Sequence, residues 1–73
     1  MPTLYFWKDG ELLEYTGPTG AESVPSRYYG LHCLDVTRTD PKLRFGTYYE
    51  GGWEPVPFED FPAAFKSTTL LLA

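Results

Sequence analysis

The chain has 73 residues, 42% of them hydrophobic and 18% aromatic, with a formal net charge of −4. That length holds one domain, 1–73, with a small core, which two Trp, six Tyr and five Phe enlarge because each aromatic ring buries roughly 150–250 Å². No apolar run approaches the ~18 residues of a membrane span, the hydrophobic content is too high for a disordered chain, and the acidic total opposes nonspecific binding to nucleic acid.

The N-terminus, "MPTLYFWKDGEL", has no basic leader ahead of an apolar stretch and enters a strand pattern within three residues. It predicts a protein without a signal peptide, and the start at Met1 predicts a complete small gene product. Cys33 is the single cysteine, so no internal disulfide can form, and the expected compartment is reducing: the bacterial cytosol.

"TLYFWKDGELLEYT" carries the clearest local signal. Asp9-Gly10 between two apolar-rich runs predicts a two-residue type I′ hairpin. Its register pairs Lys8 with Glu11, Trp7 with Leu12, Phe6 with Leu13, Tyr5 with Glu14 and Leu4 with Tyr15. Both faces of that hairpin are apolar, so each should be covered. "GPTGAESVPS", residues 17–26, reads as a connecting loop and as the most mobile segment.

"RYYGLHCLDVTRTDPKLRFGTYYEG" predicts a second hairpin with its turn at "TDPK", pairing Val36 with Phe45, Leu34 with Thr47 and His32 with Tyr49. Alternation places Leu43, Phe45 and Tyr49 on the core face and Tyr48 outward beside Cys33 and Asp35. Trp53 to Pro57 should be extended or irregular, because Pro55 and Pro57 cannot donate ladder hydrogen bonds. Phe58, Phe61, Phe65 and Leu72 recur at helical spacing, and Pro62 belongs in a first turn, so a turn at residues 59–61 and a short helix from Pro62 to about Leu71 follow. The expected fold is α+β: two antiparallel β-hairpins forming a small twisted sheet or open barrel, with the short C-terminal helix packed across it.

Chemistry is sparse. His32 and Cys33 are strand neighbours that point to opposite faces, so they form no nucleophilic dyad, and one His with one Cys falls short of a structural zinc site. Glu59 and Asp60 suit the approach to a helix N-terminus better than acid–base work, and the glycines make no phosphate cradle. No cofactor, metal or enzyme activity is expected.

Charge and aromatic patterning are more telling. Residues 9–22 carry Asp9, Glu11, Glu14 and Glu22 with no base, residues 23–44 hold Arg27, Arg38, Lys42 and Arg44 against Asp35 and Asp40, and residues 45–65 carry Glu50, Glu54, Glu59 and Asp60 with no base. Exposed aromatics beside such charges have the composition of an interface hot spot. The candidate partner-binding residues are Tyr28, Tyr48, Trp53, Glu54, Glu59 and Asp60, and the expected partner is a protein with a basic surface, with no nucleic acid and no membrane.

"GGWEPVPFEDFPAAF" is similar in type to the end of SH3 domains, where a Trp precedes a Phe-Pro and a final aromatic. Here Trp53 is only eight residues from Phe61, and the acidic Tyr-rich motif of that family is missing from "LYFWKDGELLEY". No ligand residue is carried over; the likeness implies only an alternative function, a small-barrel reader of a peptide or modified lysine through an aromatic pocket. The whole chain resembles small bacterial prophage-encoded accessory proteins, which join a "YFWKDGE"-type hairpin to an "FPxxF"-type ending. That resemblance implies a non-enzymatic inhibitor that binds and occludes a host protein, including a defence complex.

Overall fold

The computed structural model describes residues 3–72. Five strands, β1 (Leu4–Lys8), β2 (Glu11–Tyr15), β3 (His32–Asp35), β4 (Phe45–Tyr49) and β5 (Gly52–Pro55), form one antiparallel sheet in the order β2-β1-β3-β4-β5, followed by the helix α1 (Ala63–Leu72). The sheet is open, with β2 and β5 as its edges.

The first hairpin forms as its sequence dictates. Asp9 has φ 50° and Gly10 φ 78°, the left-handed pair that a type I′ turn requires, and the register runs from Leu4↔Tyr15 to Lys8↔Glu11. Leu4 and Phe6 point to one face and Tyr5 and Trp7 to the other. The two faces bury separate clusters.

The 16 residues between β2 and β3 have to pass β1, because β2 and β3 flank it in the sheet. They do so across the Leu4/Phe6 face. Val24 is buried among Leu4, Phe6, Cys33 and Tyr48, a 3-10 turn at Ser26–Tyr28 stacks Tyr28 on Phe6 at 4.4 Å, and Tyr29 Oη donates to the Ala21 carbonyl at 2.7 Å. The stretch expected to be a mobile connection is thus a packed layer. A face carrying Leu4, Phe6 and Cys33 needs cover, and Val24 is the apolar residue of "GPTGAESVPS" that supplies it.

The opposite face is closed by the C-terminal segment. A 3-10 turn at Phe58–Asp60 leads through extended Phe61 into α1, whose first backbone bond runs from Lys66 N–H to the Pro62 carbonyl at 2.9 Å. Pro62 therefore stands where a missing N–H costs nothing. Phe61 and Phe65 are buried with Leu34, Phe65 stacks on Trp7 at 5.3 Å, and Phe61 meets Phe45 edge-on at 5.3 Å. Burying rings of this size contributes about 1.5–3 kcal/mol each. Thr68 and Thr69 are tolerated in the helix because their hydroxyls donate to the carbonyls of Ala64 (2.9 Å) and Lys66 (2.8 Å).

The second hairpin departs from expectation. Its register is His32↔Thr47, Cys33↔Gly46 and Leu34↔Phe45, two residues away from the expected pairing. The connection is longer than a "TDPK" turn. Asp35 Oδ1 accepts from the Thr37 N–H at 3.0 Å, and Asp40 caps a 3-10 turn at Pro41–Leu43 by accepting from Lys42 N–H at 3.0 Å. A slip of two preserves which residues share a face, so the alternation survives while the partners change. Leu43, expected in the core, precedes the strand and is exposed. The sheet also gains β5, an edge strand that ends at Pro55.

Candidate functional site

Two neighbouring features of β3, β4 and β5 carry the polar chemistry: a buried network around Asp35 and an open depression at the β4–β5 turn.

Asp35 ends β3 with its carboxylate fully inside. Oδ1 accepts from Thr37 N–H and from Thr37 Oγ1–H at 2.5 Å, and Oδ2 accepts from Tyr48 Oη–H at 2.5 Å. Arg38 Nε lies 3.4 Å from Oδ2, an ion pair that lacks the geometry of a hydrogen bond. The guanidinium covers the Trp53 ring at 4.1 Å, and that ring meets Tyr48 edge-on at 4.7 Å. Gly46 makes room for this stack: a Cβ there would stand 2.6 Å from the indole.

The network holds its protons. Burial first, then the hydrogen bond to Asp35 and that carboxylate's charge, push the Tyr48 hydroxyl from 10.0 up to about 12. Burial and then the Asp35 charge push the Cys33 thiol well above its ordinary value. A buried thiol held protonated is a poor nucleophile, and Tyr48 keeps its proton at neutral pH and donates a hydrogen bond to Asp35. His32 lies on the other face of β3, edge-on to Phe61 at 4.8 Å, while Cys33 packs with Leu4 and Phe6. The network is a strut: it ties the β3–β4 connection to the edge strand through Arg38 and Trp53.

The depression lies just beyond that strut. Tyr49, Gly51, Gly52, Trp53 and Glu54 line an open hollow of about 310 Å³. Tyr49 is 44% exposed, whereas its neighbour Tyr48 is 1% exposed. Alternation along β4 puts the two on opposite faces, and the position of Tyr49 at the strand's end leaves it exposed although Thr47 on the same face is buried. Tyr48 shares the face of Gly46 and Cys33 that the 16–31 segment covers, and Tyr49 falls on the other side, at the end of the strand.

The register also sorts the charges. Lys8↔Glu11 and Tyr49↔Gly52 both close at one end of the sheet, so the Asp9-Gly10 and Glu50-Gly51 turns lie at the same end, with β3 between their hairpins. Asp9, Glu11 and Glu50 are exposed at this turn end, with Lys8 as the accompanying base. Arg38, Lys42 and Arg44 gather at the opposite end, where Arg44 pairs with Asp35 through its carbonyl at 2.7 Å. Part of each block is thus sorted by the fold: Asp9, Glu11 and Glu50 stand at the turn end, and Arg38, Lys42 and Arg44 stand at the other together with Asp35 and Asp40.

The sequence-derived candidates separate accordingly. Trp53 and Glu54 are brought together beside the depression, with Trp53 half-buried and Glu54 exposed. Tyr48, expected outside, is in the core as the donor to Asp35. Tyr28 is half-buried against Phe6 and Tyr15, with Arg27 over its ring at 4.8 Å; it belongs to the crossing layer and packs, like Trp53, against the cluster of Leu4, Phe6, Val24, Cys33 and Tyr48. Glu59 and Asp60 are exposed in the 3-10 turn before α1, where Lys66 Nζ donates to the Glu59 carbonyl at 3.3 Å. Sequence reasoning missed Tyr49 and Asp35. Gly46, a small residue in an aromatic-rich strand, marks the face that the Trp53 ring approaches, but it signals neither Tyr49 nor Asp35.

Comparison with protein-family models, with curated proteins and with solved structures finds no match to this chain.

Proposed function

We propose that the protein is a non-enzymatic binding module whose acidic turn end, with Tyr49 and the neighbouring Glu54, docks on a basic surface of a partner protein. The observation that carries this reading is the placement of charge by the strand register: Asp9, Glu11 and Glu50, from two separate hairpins, stand exposed at the same end of the sheet. Like charges held at one end cost repulsion, and an oppositely charged partner relieves it while accelerating encounter. An exposed Tyr at the margin adds the aromatic contact that interface hot spots favour. In its narrower form, suggested by the prophage-like style of the sequence, the module is an inhibitor in the bacterial cytosol that occludes a host protein, such as a defence complex.

The alternative, a small-barrel reader of a peptide or modified lysine, has less to support it. The sheet is open, and Tyr48 and Tyr28, which would have helped to wall a cage with Trp53, pack into the core side instead.

The test is a paired capture from bacterial lysate, using the wild type and Asp9→Lys/Glu11→Lys/Glu50→Lys as baits. A protein retained by the first and lost by the second supports the reading, provided the reversed variant keeps its circular dichroism and melting temperature. Equal retention by both baits contradicts it.

A further inference from the structure

We infer that the hollow at the β4–β5 turn is a seat for a single arginine side chain of the protein partner. This rests on the proposed docking of the turn end and gives it a specific contact.

The hollow's volume of about 310 Å³ lies within the ~300–1,000 Å³ typical of ligand pockets and has room for one long side chain. Its chemistry selects the charge. Tyr49 offers an exposed aromatic ring, Glu54 an exposed carboxylate, and Glu50 stands in the same turn, while residues 45–65 contain no Lys or Arg to neutralise them. A guanidinium can stack on a tyrosine ring and present its planar fork to a carboxylate at the same time; a lysine ammonium can do only one of these well. The protein already uses this pairing once, since Arg38 lies over the Trp53 ring at 4.1 Å and beside the Asp35 carboxylate at 3.4 Å. That arginine is taken up by the strut. Tyr49 and Glu54 repeat its two components on the opposite face of the same strands, and no arginine lines the hollow among the described residues.

The glycines keep the seat open. A Cβ at Gly51 or Gly52 would have nothing within 4 Å, so the space above them is free. Gly52 sits at φ 134°, in the left-handed region, whereas Gly51 does not. Gly51 can therefore be enlarged without backbone strain, and Gly51→Leu is the variant that tests whether bulk at this lining position obstructs the hollow.

The experiment is a nuclear magnetic resonance titration of the ¹⁵N-labelled protein with N-acetyl-arginine amide at constant ionic strength. N-acetyl-lysine amide and N-acetyl-citrulline amide serve as comparison probes. The expected result is saturable shifts confined to the amides of Gly51, Gly52 and Glu54 and to the Trp53 indole N–H, weaker with lysine and absent with citrulline. Glu54→Gln should reduce the arginine affinity by about threefold to fivefold, and Gly51→Leu should abolish the shifts. Equal shifts with citrulline, or shifts spread evenly over the Asp9 and Glu11 turn, would overturn the assignment. So would an unchanged titration of a folded Gly51→Leu. A negative titration together with charge-dependent capture of a partner would remove the arginine seat and leave the docking end standing; loss of both would remove the functional reading as well.

Discussion

Replacing Tyr48 with Phe isolates the Asp35 strut from the packing around it. The ring stays, with its edge-on contact to Trp53 at 4.7 Å, and only the hydroxyl that donates to Asp35 Oδ2 at 2.5 Å is lost. Asp35 is fully buried, so the oxygen cannot take water in exchange and keeps only the poorly aligned Arg38 Nε at 3.4 Å. Hydrogen bonds to a buried charge contribute about 1.5–3 kcal/mol. A domain of this size has roughly 4–11 kcal/mol of total stability at 0.05–0.15 kcal/mol per residue, so the loss is a large fraction of it. The expected effect of about 2 kcal/mol lowers the melting temperature at pH 7 by roughly 8–16 °C. Tyr49→Phe, on the exposed neighbour, should change stability by less than about 0.5 kcal/mol and serves as the control.

The same hydroxyl predicts a pH dependence. Its pKa in the fold, about 12, lies above the ordinary 10.0, so folding favours the protonated form. The stabilisation is complete below pH 10 and is lost as pH rises from 10 through 12. Thermal melts between pH 8 and 12 should therefore fall more steeply for the wild type than for Tyr48→Phe. Equal melting temperatures at pH 7, or parallel alkaline slopes, would refute the assignment of the strut.

Three further outcomes follow from the packing. Gly10→Val puts a β-branched residue at φ 78° in the type I′ turn and should destabilise the domain by about 1–3 kcal/mol, read as a lower midpoint in urea. Gly46→Ala sets a methyl 2.6 Å from the Trp53 ring, displaces β5 from the sheet and should cost about 1–3 kcal/mol, with faster exchange of the β5 amide protons as its signature. Cys33, buried and with its thiol pKa raised, should resist a thiol reagent at pH 8 in the native protein and react at once in denaturant; fast native labelling would show that the layer over it opens readily.

How much of this was legible in the sequence depended on the range of the interaction. The first hairpin could be read to the residue because Asp-Gly fixes both turn type and register within four positions. The helix could be read because Pro62 marks its first turn and Phe65 and Leu72 lie seven apart. The apolar character of both hairpin faces correctly implied two covering layers. What covers them was not legible, because Val24 and Ala21 stand among Gly, Pro and polar residues with no periodicity and their packing is decided by the passage of the chain across β1. Tyr48 and Tyr49 were assigned to opposite faces as observed, but which face was the more covered depended on that same crossing. The β3–β4 register slipped by two because Asp35 and Asp40 each hold a local turn, and a local preference cannot reveal that two of them are used in one connection. In the candidate site, Trp53 and Glu54 stood next to each other in sequence and were found. Asp9, Glu11 and Glu50 reach the same end of the sheet only through the pairing of β1 with β3 and β3 with β4.

The most direct measurement is the ionic-strength dependence of association between the purified module and its captured partner, recorded by surface plasmon resonance for the wild type and for Asp9→Lys/Glu11→Lys/Glu50→Lys. If the acidic turn end is the docking surface, the wild-type association rate falls steeply as salt rises, and the reversed variant associates at least about tenfold more slowly at low salt with little further loss at high salt. A matched reversal at the other end, Lys42→Glu/Arg44→Glu, should leave the rate unchanged or raise it. Association of the acidic-end variant at the wild-type rate, with the wild-type salt slope, would contradict the account.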